Sequence, residues 1–373
     1  MVLNNLKIVL KDRVIENGFI VIENDKIVSI GKGSYDGAAI DCKGKIAMPG
    51  FIDIHIHGSS NIDFMDASAA DYKTIADSLY REGVTTFLAT TLTSDNESLL
   101  RVAKAVKEAK NSVPSLGGIH FEGPYISAKH KGAQNEAFIR DPDIEELKAL
   151  QEASGNNVKY IALAPEKNGA LDFIKEARKI GVVCSAGHTD ASMNDVRNAV
   201  DAGLTNTTHT HNAMSGHHHR NPGVVTAAMY FDELFTEVIC DGIHVCPDTV
   251  RTFYKIVGPD RFIIITDALK IKNSDVNTFQ LFGLDCIRKD GAAYLTSGPL
   301  AGSLLTMDKA IRNIRDWTGS GLVELAKISS YNAAKSIGFT DRGEIIEGKL
   351  ADIVLLDNEL NVCEVYKLGK RVF

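Results

Sequence analysis

The 373-residue chain contains no run of about 18 consecutive apolar residues, which excludes a membrane-spanning helix. No stretch is dominated by one sign of charge: 41 Lys and Arg stand against 48 Asp and Glu, mixed along the chain, for a net charge of −7. Broad binding to nucleic acid or to an acidic membrane surface requires a basic stripe. Neither partner is expected, although a local anion pocket stays open. The six cysteines, Cys42, Cys184, Cys240, Cys246, Cys286 and Cys363, form no CxxC pair. Most sit beside apolar residues, as in "VVCSAG" and "EVICDG", so buried free thiols in a reducing compartment are expected. The start, "MVLNNLKIVLKD", lacks a basic leader followed by a long apolar stretch, and a cytoplasmic protein is expected. "TGSG" lacks the lysine of a phosphate loop and reads as a turn. Internal repeats and low-complexity runs are also missing.

What is present is apolar and rhythmic. Hydrophobic residues make up 44% of the chain, enough for a large core. Residues 1–48 read as β: short apolar runs broken by "ENG" and "END" turn signals. From Pro49 the rhythm changes to short apolar strands alternating with helical stretches. Eight strands are predicted, at 50–57, 85–92, 116–122, 158–164, 181–187, 205–210, 235–242 and 261–267. Several intervening helices begin at Asp or Asn and stop at Gly. Eight such alternations predict a (β/α)8 barrel over 49–344. An inserted β-hairpin region with a "KDG" turn follows the eighth strand. The tail, from 345 to 373, returns to short strands. Because chain ends tend to lie close together, both ends are expected to form one small β-sandwich.

In a barrel of this kind, functional side chains sit at the C-terminal ends of strands. Strand one ends in "DIHIH", with His55 and His57 two apart and so on one face. Strand three ends at Glu122, strand five at His188, strand six in "TTHTHN" with His209 and His211, strand seven before His244, and strand eight at Asp267. A histidine beside one strand is ordinarily structural. Six strand ends delivering imidazole or carboxylate to one mouth is a different matter, because borderline cations such as Zn²⁺ and Fe²⁺ favour those ligands. The pattern points to a metal-dependent hydrolase.

These segments resemble the amidohydrolase superfamily: "PGFIDIHIHG" resembles its first-strand signature and "GEIIEGKLADIVLLD" its closing β segment. More specifically, "HFEGPYIS", "SAGHTDAS", "THTHNAMSG", "CDGIHV", "TDA" and "LAGSLLTMDKAIRN" are similar, in that order, to the N-acetylglucosamine-6-phosphate deacetylases. The resemblance covers essentially the whole chain. It implies that Glu122, His188 and His209 hold a principal divalent ion, Zn or Fe, and that His55 and His57 can hold a second. Asp267 would be the catalytic acid/base. Substrate contacts are implied at Ala133, Gln134, Asn212, Ala213, His244, Leu300, Ala301 and Gly302, with Arg220 on the phosphate. Other amidohydrolases use a strand-four lysine as a bridging ligand. Here Lys159 stands only near the start of that strand, which leaves the carboxylate role to Glu122.

The implied reaction removes acetate from N-acetylglucosamine 6-phosphate in a homodimer. Many relatives carry a histidine where this chain has Gln134, so the galactosamine epimer stays open as a substrate. Hydrolysis of a cyclic amide is a further alternative. His217, His218 and His219 fall on the loop leading to Arg220 and are expected to shape the phosphate pocket or face solvent. His211 is expected beside the metal ligands or the substrate, His120 near Glu122, and His130 exposed.

Overall fold

The computed structural model describes residues 1–281 and 283–373. Eight parallel strands follow one another around a barrel: Phe51–Ile56, Val84–Thr90, Leu116–Glu122, Val158–Leu163, Val183–Ala186, Asn206–Thr207, Phe235–Ile239 and Phe262–Ile265. Each pairs in parallel with the next. Helices cover the outside, so the strands are buried on both faces, and Phe262–Ile265 is an unbroken apolar run. Between the eighth and first strands no ladder forms. The seam is closed at its mouth end, where the Asp267 N–H donates to the His55 carbonyl at 2.8 Å and the His57 N–H to the Ala268 carbonyl at 2.9 Å. Buried Asp53 reinforces it, accepting from the Thr266 hydroxyl at 2.6 Å.

Helix starts follow the expected chemistry. Asp95 caps the helix Asn96–Ala109 by accepting from the Ser98 N–H, and Asp143 caps Ile144–Ala153. Ser192 and Asp195 form a capping box at Met193–Ala202. The insertion after the eighth strand is a three-stranded antiparallel sheet, Thr278–Leu281, Leu284–Lys289 and Ala292–Leu295. Its "KDG" turn places Asp290 and Gly291 at φ 50° and 81°, the left-handed pair that a tight hairpin needs.

The two chain ends share one sheet. Its order runs Lys370–Arg371, Val362–Lys367, Ile353–Leu356, Ile46–Pro49, Val2–Val9, Val14–Glu23, Lys26–Lys32, with Ile40–Asp41 paired beside Val2–Val9. Leu3, Leu6, Ile20, Ile27, Ile353 and Tyr366 belong to a core of its own, separate from the barrel's. Gly50 joins this sheet to the first barrel strand. A Cβ there would sit 2.2 Å from Thr85 Oγ1, so the close approach of the two units requires glycine. Among the described residues no helix is long and apolar enough to cross a membrane.

Two details differ from the sequence-based expectation. The sixth strand is only Asn206–Thr207, because the chain leaves extended geometry at once: His209 and His211 have φ 30° and 88°. Strand alternation therefore does not govern where His209 and His211 point. All six cysteines are free, but Cys246 is exposed and Cys363 half-buried.

Candidate metal centre

The C-terminal ends of the barrel strands open into a cavity of about 330 Å³. Glu122, the last residue of the third strand, is its hub. Its Oε1 lies 3.0 Å from His209 Nε2, 3.1 Å from His188 Nε2 and 3.4 Å from His55 Nε2. His57 Nε2 is 3.4 Å from Glu122 Oε2 and 3.1 Å from Asp267 Oδ1, and His55 Nε2 is 3.4 Å from the same Asp267 oxygen. All six side chains are buried. His188, His209 and Asp267 stand at φ 48°, 30° and 48°, left-handed values that non-glycine residues rarely adopt. These turns end the strands and swing the side chains inward. Backbone strain of this kind collects at functional sites.

Hydrogen bonds fix the imidazole tautomers. His188 Nδ1 donates to the His130 carbonyl at 2.8 Å and His209 Nδ1 to the Asn212 carbonyl at 3.2 Å. In the neutral rings the Nε2 atoms are then left with lone pairs, and these two atoms face each other at 3.2 Å beside a carboxylate oxygen. Such electron-rich atoms repel unless a cation lies among them. His55 donates from Nδ1 to Glu237 at 3.3 Å, while its buried Nε2 has no hydrogen-bond partner. Two overlapping donor groups result, His55/Glu122/His209 and His55/His57/Asp267, each with its ligand atoms within 4.8 Å of one another. This donor set fits one or two divalent cations of the zinc or iron type.

The imidazoles and carboxyls also act on one another electrostatically. Burial works against ionisation of Glu122, yet the imidazoles of His55, His188 and His209 outweigh it and hold its carboxyl well below the usual range. Asp267 is likewise lowered, its burial overcome by His55 and His57. In return, and against their own burial, His55 and His57 are raised by Glu122 and Asp267. Both carboxyls are thus held ionised among the imidazoles.

The structure brings most of the other sequence-derived residues to this cavity. Ala133, Gln134, Asn212, Ala213, His244, Leu300, Ala301 and Gly302 all line it. Gln134 is buried and spans two partners: its amide nitrogen donates to Glu122 Oε2, and its oxygen accepts from the Thr93 N–H at 2.7 Å. Asp267 and the 300–303 segment are stitched together, with the Ser303 N–H donating to the Asp267 carbonyl at 2.8 Å. His244 Nδ1 sits 2.7 Å from Asp241 Oδ2. Burial disfavours its charged form, but Asp241 prevails and raises its pKa.

Three residues are placed differently. Arg220 does not line this cavity; it is exposed, 2.8 Å from His219 Nε2, and borders a neighbouring cavity of about 570 Å³ with Ser192 and Arg197. His211 turns away and packs on Phe253 with ring centroids 4.8 Å apart, where burial lowers its pKa to about 4. His130 is half-buried rather than exposed, bonds Asp190 at 3.0 Å and lines the cavity beside Lys129. His120 packs at 4.6 Å against both His55 and Tyr160. Sequence reasoning missed Glu237 and Tyr160, which lie behind His55. The available signal was a carboxylate and a phenol inside largely apolar barrel strands, "FTEVI" and "VKYIAL".

A parallel barrel whose strand ends focus buried imidazoles and carboxylates on one cavity defines a metal-dependent hydrolase. The amidohydrolase family model matches residues 46–372. An N-acetylglucosamine-6-phosphate deacetylase from Lysinibacillus sphaericus is 38% identical over 334 residues, covering 89% of this chain and 86% of the relative. The crystal structure of the Thermotoga maritima N-acetylglucosamine-6-phosphate deacetylase superposes with a TM-score of 0.92 at 36% identity, over 100% of this chain and 99% of that one. A Mycobacterium smegmatis variant in complex with N-acetyl-D-glucosamine-6-phosphate gives 0.95 at 30% identity, over 100% and 99% of the two chains. The chain belongs to the amidohydrolase family and, within it, to the N-acetylglucosamine-6-phosphate deacetylases.

Proposed function

We propose that this chain hydrolyses the N-acetyl group of N-acetylglucosamine 6-phosphate, releasing acetate and glucosamine 6-phosphate. The observation that carries the reading is the convergence of Glu122, His188 and His209 beside a buried, ionised Asp267 at the floor of the cavity. Glu122, His188 and His209 would hold the principal ion, and His55 and His57 a second. Bound there, Zn²⁺ or Fe²⁺ supplies Lewis acidity, polarising the acetamide carbonyl and acidifying water.

The remaining work falls to the chain. Asp267 is deprotonated at neutral pH, because its pKa is lowered, and so can accept a proton from the attacking water. It can return that proton to the amine nitrogen, which leaves badly as an anion. Its backbone is pinned on both sides, by the His55 carbonyl and the Ser303 N–H, which limits the motion between the two transfers. Leu300, Ala301, Gly302, Asn212 and Ala213, which line the cavity, would contact the sugar. His244, its ring held through Nδ1 by Asp241, which raises its pKa, faces the substrate side of the cavity. Arg220 is the proposed phosphate partner, since a guanidinium fork matches phosphate oxygens and this one is exposed on its loop. A homodimer and a cytoplasmic location complete the proposal; light scattering on the purified protein tests the first.

The deciding experiment measures acetate release from N-acetylglucosamine 6-phosphate by purified protein, before chelation, after it, and after adding back Zn²⁺ or Fe²⁺. Turnover that chelation abolishes and metal restores is expected. Turnover that survives complete chelation would overturn the metal-dependent reading. The galactosamine epimer serves as the paired substrate: a higher kcat/KM on it would reassign the sugar.

A further inference from the structure

We infer that Glu237, backed by Tyr160, is a positioning residue that locks His55 for cation binding and sets how tightly the His55 side of the site holds its ion. The inference rests on the metal reading above.

Glu237 lies on the seventh barrel strand and is fully buried. A carboxylate without solvent must be satisfied by donors. It has three: the Tyr160 hydroxyl at 2.5 Å to Oε1, and to Oε2 the His55 Nδ1 and the His209 backbone N–H, both at 3.3 Å. A carboxylate only accepts, so the proton of neutral His55 resides on Nδ1 and the lone pair on Nε2. That Nε2 is the buried atom without a hydrogen-bond partner, and it faces Glu122 and Asp267.

The four candidate histidine ligands are not alike in this respect. His188 and His209 spend their Nδ1 protons on neutral backbone carbonyls, and His57 Nδ1 has no partner among the described residues. Only His55 leans on a carboxylate. An anion behind the ring raises the basicity of the opposite nitrogen and fixes the ring plane. His55 is also the one residue shared by both donor groups. The same Glu237 oxygen holds the backbone of His209, a residue at the strained φ of 30°. One carboxylate outside the ligand set thus reaches two ligands, one on the first strand and one in the turn after the sixth. Tyr160 in turn fixes Glu237, and His120, anchored to the Ile54 carbonyl at 3.2 Å, closes the space between the Tyr160 and His55 rings.

The test uses the full chain as wild type, Glu237→Gln, Tyr160→Phe and His55→Asn, loaded with Zn²⁺. Zinc per chain is counted by mass spectrometry during competition with a calibrated chelator, and the Tm of each metal-free protein is recorded. Glu237→Gln should weaken the His55-dependent ion about 10- to 100-fold. Tyr160→Phe should weaken it less, roughly threefold to tenfold, with a metal-free Tm close to wild type. Wild-type zinc retention in both Glu237→Gln and Tyr160→Phe, where His55→Asn loses zinc, overturns the inference and leaves the metal reading intact. Zinc retention unaffected by His55→Asn overturns it together with the assignment of His55 as a ligand. No zinc on any of the four proteins overturns the metal reading itself.

Discussion

The chain holds two groups of histidines that look alike on paper and differ in every physical respect. His55, His57, His188 and His209 come from three separate regions of the sequence and meet in a buried cluster around Glu122. His217, His218 and His219 are consecutive, exposed, and spend their ring nitrogens on their own surroundings. His217 Nδ1 is 3.0 Å from Thr226, His218 Nδ1 accepts from the backbone of Arg220 and Asn221, and His219 Nε2 meets the Arg220 guanidinium. Local density of histidine does not make a metal site. What does is convergence of Nε2 atoms, with the rings of His55, His188 and His209 each turned by a bond at Nδ1, in a place water does not compete.

That contrast can be broken or sharpened by experiment. The largest effect is expected at Asp267: Asp267→Asn should lower kcat by about 10²- to 10⁴-fold while the ion held by Glu122, His188 and His209 is kept and Tm holds. Activity within tenfold of wild type would remove Asp267 from the proton-transfer role. Next, His209→Asn should weaken the principal ion by at least roughly 100-fold in chelator competition, since it removes a ligand rather than a support. Arg220→Ala comes third, with KM for the phosphorylated sugar rising roughly 10- to 100-fold and KM for the unphosphorylated sugar little changed. An equal rise on both would show that Arg220 does not read the phosphate.

A smaller effect concerns pH. His244 is raised by Asp241 against its own burial, so its positive charge is complete below the ordinary histidine value and is lost as pH rises through the raised one. Affinity for the phosphorylated sugar should fall over that same interval. Asp241→Asn removes the cause and should move the KM rise to lower pH; a KM profile that does not move would detach His244 from substrate binding. The smallest effect belongs to the exposed run. Replacing His217, His218 and His219 together by alanine should leave zinc content unchanged and kcat/KM within about twofold. Loss of an ion in that triple variant would erase the distinction between the two groups.

Most of the barrel was legible because its signals are local. Apolar runs of strand length, Asp and Ser caps and glycine stops are written in neighbouring residues, and Asp95, Asp143 and Ser192 do cap the helices they precede. The strand-end rule then brought Glu122, His188 and Asp267 to one mouth. The rule failed at His211. The sixth strand stops at Thr207, and the left-handed turns that follow send His209 into the cluster and His211 against Phe253. A period of two carries no information once the chain is no longer extended.

The sequence by itself determined the architecture and the kind of chemistry: eight alternations long enough to close a barrel, and imidazoles and carboxylates at the strand ends. Only the tertiary structure decided which nitrogen of each histidine faces the cavity, that Gln134 is tied to Glu122, that Arg220 stands at a neighbouring cavity, and that Glu237 and Tyr160 support His55 from behind. The reason is physical. Helix caps and strand patterns depend on residues a few positions apart, whereas the orientation of a buried ring depends on a partner such as Glu237, 182 residues from His55, whose place is set only when the barrel closes.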